Sequence, residues 1–339
     1  MKKNILLTVI LISGVLNCFS KSLKDSVQWI SLEKANELFL KNQKPILIYF
    51  YQNNNDSCRL QESSTFSNPE VANYINVLFY PVKIDAETKE SLTFFDGIKY
   101  ENTGKTGKLN DLTIKLCGPL STFPTLVIFN KRAEGAAFPG YFDRDEIFRR
   151  LIYYSEEIYD SNVEFNDWLK IHKKGFPAGQ TQIMTRLLVK WKTLDEALAE
   201  SKIKPKKILL NLYNYNKISC TLMRITVLNN PEVAAYLNEN YYPVNIDAFT
   251  QDTLEIFGQK YINENQPHKF HQLPIAALSG KMIFPAFIII DQNNKVLEKV
   301  QRFLTIKDTE ALLHFYGDNE FQTKDWNTFK STFVSKVKD

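Results

Sequence analysis

Cysteine is scarce in this chain, with four residues among 339. That excludes a fold held together by a disulfide framework. Glycine (12) and proline (13) are too few and too scattered for a collagen-like or low-complexity chain. Charge of one sign is also lacking. Lys and Arg total 42 against 38 Asp and Glu, and two of the positives, Lys2 and Lys3, stand at the extreme N-terminus. This balance provides no dense basic face for nucleic acid. There are only four histidines. His268 and His271 are spaced H-x-x-H, but a metal site needs three or four ligands, so they read as part of a solvated loop. No G-x-S-x-G or P-loop pattern is present. Neither a metal nor a cofactor is expected. Long apolar runs are missing as well. The N-terminal stretch 5–16 has 12 uncharged residues, where a spanning helix needs about 20.

That stretch is better read as part of an export signal. Lys2 and Lys3 form a basic start, residues 5–16 an apolar centre, and Cys18 and Ser20 supply small residues for cleavage after Ser20. A lipoprotein would instead be acylated at Cys18, but Asn17 stands where a small residue is expected. The expectation is a periplasmic or secreted protein with no membrane span. Disulfides persist in such compartments, which gives weight to Cys58, Cys117 and Cys220.

A long repeat organises the rest of the chain. Asn68-Pro-Glu-Val-Ala-x-Tyr74 returns 162 residues later as Asn230-Pro-Glu-Val-Ala-x-Tyr236. Tyr80-Pro-Val-x-Ile-Asp-Ala86 returns at the same offset as Tyr242-Pro-Val-x-Ile-Asp-Ala248. Trp29 pairs with Trp191 and Cys58 with Cys220. One deletion later the offset is 161, and Tyr100 pairs with Tyr261 and Pro124 with Pro285. Asp167-Trp168 is echoed by Asp325-Trp326. The period is too long for a solenoid and points to two duplicated domains. The expected layout is a leader (1–20), a first domain (21–172), a linker (173–190) and a second domain (191–339). Gly175, Pro177 and Gly179 mark the linker.

Each half reads alike. Ser31 caps a helix carrying Ala35, Leu38 and Phe39. Pro45 introduces the apolar strand Ile46 to Tyr51, a polar loop follows, and the next helix carries Cys58. Asn68 caps a further helix with Pro69 at its first position. Strands follow at Tyr80 to Ile84 and Leu126 to Phe129, with a hairpin partner near Ala136 to Tyr141. Residues 143–154 close as an amphipathic helix. The order is helix, strand, helix, strand, helix, strand, strand, helix. It predicts an α/β fold with a central mixed sheet and helices on both faces. Lys202 to Lys207 reads as a solvated lead-in to the second domain's first strand.

These elements resemble the thioredoxin fold, twice over. Lys44-Pro-Ile-Leu-Ile-Tyr-Phe-Tyr51 resembles that superfamily's first core strand. Asn55-Asp-Ser-Cys58 lies where it carries C-x-x-C. Thr65-Phe66-Ser67-Asn68-Pro69-Glu70-Val71 resembles the TF-x-N-PEV helix start of extracytoplasmic thioredoxin-like proteins. Those include the terminal thioredoxin domain of the bacterial membrane-bound disulfide-reductase system. Phe123-Pro124-Thr125 and Phe284-Pro285-Ala286 match the cis-proline position. Tyr261, His271 and Leu273 resemble an insert of a tandem subgroup. The resemblance covers about residues 29–172 and 191–333.

It also exposes what is lost. Thioredoxin chemistry needs an exposed thiolate at a helix N-terminus and a second thiol one turn away. The nucleophile positions here hold Asn55 and Lys217. Only the resolving positions survive, as Cys58 and Cys220. The buried acid of the first strand is replaced by Tyr49 and Asn211. The expectation is a tandem thioredoxin-like protein with degenerate C-x-x-C motifs that binds or assembles an extracytoplasmic polypeptide without dithiol chemistry. Phe123, Pro124, Phe284 and Pro285 are its candidate binding residues, through backbone groups that pair with an extended peptide. The alternative is a thiol-disulfide oxidoreductase or redox sensor acting through the single thiols Cys58 and Cys220, which capture partners as mixed disulfides. Against it stands the simpler role of a small buried residue kept by packing. Cys117 has Leu278 as its counterpart and reads as core.

Overall fold

The computed structural model describes residues 9–11, 26–104, 107–177, 182–184 and 186–337. Lys2, Lys3, Cys18 and Ser20, on which the leader rests, lie outside the described residues, as does Gly179 of the expected linker. Of the apolar leader stretch, Val9–Leu11 is described, paired antiparallel with Gln182–Met184.

The first repeat builds a four-stranded mixed sheet. Ile46–Tyr51 runs parallel to Tyr80–Asp85 and antiparallel to Thr125–Phe129, which pairs in turn with the edge strand Gly135–Pro139. Ile46 to Phe50 are all fully buried. This explains an apolar run with no polar alternation, because helices cover both faces. The edge strand does alternate between exposed and half-buried residues, as a one-sided strand should. The second repeat repeats the topology. Lys207–Tyr213 is parallel to Tyr241–Asp247 and antiparallel to Ala286–Ile290, and Val296–Val300 forms the edge. The architecture is two tandem thioredoxin-like folds.

The helix boundaries follow local chemistry. Asn68 caps Pro69–Leu78 by accepting from the N–H groups of Glu70 and Val71, and Asn230 does the same for Pro231–Asn240. Each cap contributes about 1 kcal/mol. Pro69 and Pro231 occupy the first turn, where the missing N–H has no bond to make.

The boundary between the two compact units differs from the one expected at 172. One unit ends at Glu157, and the other takes in the chain from Ile158 onward together with Val9–Leu11. Phe165–Gly175, expected in the first domain's tail, packs on the second. Trp168 is fully buried and meets Phe303 edge-on at 5.7 Å. Ser161 Oγ accepts from the Phe303 N–H at 3.1 Å. The reason lies one repeat away. In the first domain, the counterpart Phe142 has its N–H and C=O bonded by the side chain of the fully buried Gln61. The second domain has Met223 there, fully buried and without a hydrogen-bonding amide. Ser161 of the preceding segment takes the Phe303 N–H in its place. Gly175 belongs to this docking and not to a free linker, since a Cβ on it would collide with Leu222 Cδ2.

Two further expectations are corrected. Lys207 is no solvated lead-in. It is 7% exposed, and its ammonium donates to Asn319 Oδ1 (2.9 Å) and the Gly317 carbonyl (3.4 Å). There it caps the C-terminus of Ile306–Gly317, where a cation is favoured. His271 is no solvated loop residue either. It is fully buried at the N-cap of Gln272–Ala277. Its Nδ1 accepts from the Leu273 N–H (3.1 Å), so Nε2–H donates to the Asp252 carbonyl (3.0 Å). The first domain uses Asn110 identically. That residue accepts from Leu112 N–H and donates to the carbonyls of Thr88 and Glu90.

Burial holds the His271 pKa below its ordinary value, against hydrogen bonds to the backbone of Asp252 and Tyr261. A His with a lowered folded pKa stabilises fully above about pH 6.5, and that contribution is lost as pH falls toward the folded value. The second domain should therefore melt at a lower temperature at pH 5 than at pH 7.5. His271→Asn, which copies the first domain, should flatten this dependence. Unchanged pH dependence in thermal melts of H271N would refute the assignment.

Candidate functional site

In the first domain the loop after Ile46–Tyr51 delivers Asn55 to the N-cap of Asp56–Leu60. The Asn55 side chain accepts from the Cys58 N–H at 3.2 Å. The position that would carry a nucleophilic thiol thus carries a helix cap. Cys58, one turn on, is 2% exposed. Burial pushes its thiol pKa up, only partly offset by hydrogen bonds with the Gln52 backbone and Tyr49. A thiol in that setting stays protonated and out of reach.

Tyr49 replaces the expected acid and is itself fully buried. Its hydroxyl faces both the Cys58 carbonyl oxygen (3.1 Å) and Glu62 Oε1 (3.3 Å). Glu62 is paired with Lys83 at 2.9 Å. The first domain therefore has a carboxylate beside the Tyr49 hydroxyl, supplied by the helix instead of the strand. Sequence reasoning missed it because it sought the acid in the strand alone. The second domain has no equivalent. There Asn211, Arg224 and Asn245 replace Tyr49, Glu62 and Lys83, and the two asparagines bond each other at 2.7 Å.

In the second domain Lys217 is the N-cap of Ile218–Leu222 and makes no side-chain cap bond. Cys220 is 3% exposed. Cys58, Cys117 and Cys220 are all free thiols. Cys117 packs beside the first domain's core, and burial pushes its pKa up to about 12. Its counterpart Leu278 is buried in the second core.

The bonds Phe123–Pro124 and Phe284–Pro285 are cis. Phe123 and Phe284 have buried side chains, while Thr122 and Ile283 just before them are exposed. Among the described residues, no hydrogen bond engages the N–H or C=O of Phe123 or Phe284. An open groove of about 540 Å³ runs beside the first of these loops, bordered by Gln52, Asn55, Glu87, Leu109, Thr122 and Phe123. The structure thus brings Asn55 and Phe123 to one groove and leaves Cys58 buried, outside the groove's lining. Among the described residues no cluster of His, Cys, Asp or Glu could hold a metal ion.

A family model described as a thioredoxin-like domain matches residues 32–155, the segment that contains this groove. Residues 32–155 are a thioredoxin-like domain, in the thioredoxin superfamily. The second thioredoxin-like fold repeats its strand order. Similar solved structures include a thioredoxin-fold protein from Helicobacter pylori, at 16% identity over 37% of this chain and 83% of that one, with a TM-score of 0.31. The disulphide isomerase from Xylella fastidiosa matches at 18% identity over 36% and 87%, with a TM-score of 0.28. The oxidised C-terminal domain of DsbD from Neisseria meningitidis matches at 19% identity over 37% and 90%, with a TM-score of 0.25. No curated protein sequence matches the chain.

Proposed function

We propose that this tandem thioredoxin-like protein binds extended polypeptide without turning over disulfides, in an extracytoplasmic compartment. The observation that carries the reading is the pairing of a helix-capping Asn55 with a buried Cys58 beside an open groove. A nucleophile is missing where chemistry would need one, while the surface that would receive a chain is intact. The unengaged backbone of Phe123 offers one donor and one acceptor for strand-like pairing. The apolar leader of residues 5–16 supports export. Among the described residues no helix is long and apolar enough to cross a membrane.

The test is equilibrium binding of two unfolded forms of pancreatic ribonuclease, one reduced and carboxymethylated, one with scrambled disulfides. The wild type should bind both reversibly, and Cys58→Ser/Cys220→Ser should bind both as well. Covalent capture of the scrambled form, lost in the double variant, would instead support chemistry through the single thiols.

A further inference from the structure

The two repeats align residue for residue around the groove. Asn102 bridges the carbonyls of Glu87, Thr88 and Lys108, and Asn263 bridges those of Phe249, Thr250 and Lys269 in the same way. This shared framework fixes the correspondence of the side chains around it. Gln52, Asn53, Glu87, Leu109, Ser121 and Thr122 of the first domain correspond to Asn214, Tyr215, Phe249, Phe270, Met282 and Ile283 of the second.

The consequence is physical. In the first domain Glu87 is drawn aside by Gln52, whose Nε2 donates to Oε1 at 3.0 Å, and Asn53 is drawn aside to Asp85 at 2.8 Å. Short polar side chains held by one another leave the groove open. In the second domain Phe270 stacks on Phe249 at 4.8 Å and continues to Phe284 at 6.1 Å, with Tyr215 against Phe249 at 5.2 Å. Phe249, Phe270 and Met282 pack onto that domain's core. Phe249 and Phe270 thus stand beside the second cis-proline loop at the positions where the first domain has Glu87, Leu109 and an open groove.

The geometry points to a division of labour between the repeats: the first domain alone receives the partner, and the second domain's groove is filled by its own side chains. This rests on the polypeptide-binding reading above and narrows it. The rim of the first groove is polar, made of the Gln52 carboxamide, the Glu87 carboxylate that it holds, the Ser121 and Thr122 hydroxyls and the Lys108 ammonium. It suits an extended polypeptide segment with hydrogen-bonding side chains, which carboxymethylated ribonuclease supplies.

The experiment titrates the full chain with fluorescent carboxymethylated ribonuclease. Thr122→Trp, at an exposed rim position, should weaken binding by at least about tenfold, while the matching Ile283→Trp should change it by less than about twofold. A second first-domain variant, Ser121→Met/Thr122→Ile, imports the second domain's residues and should weaken binding as well. Unaltered binding by both first-domain variants, or a loss caused by I283W, overturns the assignment while leaving polypeptide binding in place. Absence of binding by the wild type overturns the polypeptide reading itself, and the assignment with it.

Discussion

Asn55→Cys should convert the first domain into a dithiol that closes an intradomain disulfide. The new sulfur would sit at the N-cap of Asp56–Leu60, where the free N–H groups of the first turn favour an anion. Such placement lowers a thiol pKa from about 8.5 toward 7, which raises the thiolate fraction at neutral pH about tenfold. Cys58 is one turn away, within bridging reach for an N-terminal pair. Losing the Asn55 cap costs about 1 kcal/mol, too little to unfold the domain. The variant should lose two hydrogens in intact mass on mild oxidation. It should also reduce insulin at least about tenfold faster than the wild type, whose rate should match C58S/C220S. Turnover should remain below that of an efficient reductase, because burial keeps the Cys58 thiol pKa raised. An introduced thiol that alkylates readily but never pairs with Cys58 would show that the helix start is misassigned.

The second large effect concerns stability. Trp168→Ala should destabilise the second unit by about 3–5 kcal/mol, the range for truncating a large buried aromatic. Trp168 is fully buried against Phe303 and His172. Ser161, which bonds the Phe303 backbone, precedes the same helix and should loosen with it. Hydrogen exchange resolves the two units. The strand Ala286–Ile290 should lose protection and Ile46–Tyr51 should keep it. The reverse pattern would return Phe165–Gly175 to the first domain, where the repeat arithmetic had placed it.

That misplacement shows where sequence reading ran out. Asp167-Trp168 echoes Asp325-Trp326, yet Trp326 packs on Phe315 of its own closing helix while Trp168 docks on the following domain. The repeats also differ around those partners: Gln61 bonds the Phe142 backbone in the first, while its counterpart Met223 has no amide with which to bond Phe303. The core strands were legible because residues buried on both faces leave an unbroken apolar run, and the caps because Asn-Pro-Glu is specific to a helix start. The hairpin Leu92–Thr93/Lys99–Tyr100 was not legible, since two-residue strands carry no periodicity. Nor were the π-helical turns Gln61–Phe66 and Met223–Val227, whose wider turn leaves no distinct sequence pattern. At the candidate site, the helix starts at Asn55 and Lys217 were legible from the polar loops that precede them. Glu62 stayed hidden, because its approach to Tyr49 depends on helix and strand meeting in space. The aromatic stack of the second domain was hidden too, since Tyr215, Phe249 and Phe270 are far apart in the chain.

The central claim is that this protein holds polypeptide without using its thiols. It is tested most directly by binding isotherms of scrambled ribonuclease with the wild type and with C58S/C220S, each measured with and without dithiothreitol. The account predicts four curves that agree within about twofold and a complex that dissociates fully on a non-reducing gel. A wild-type complex that persists on that gel, disappears with dithiothreitol and is absent from C58S/C220S would contradict it.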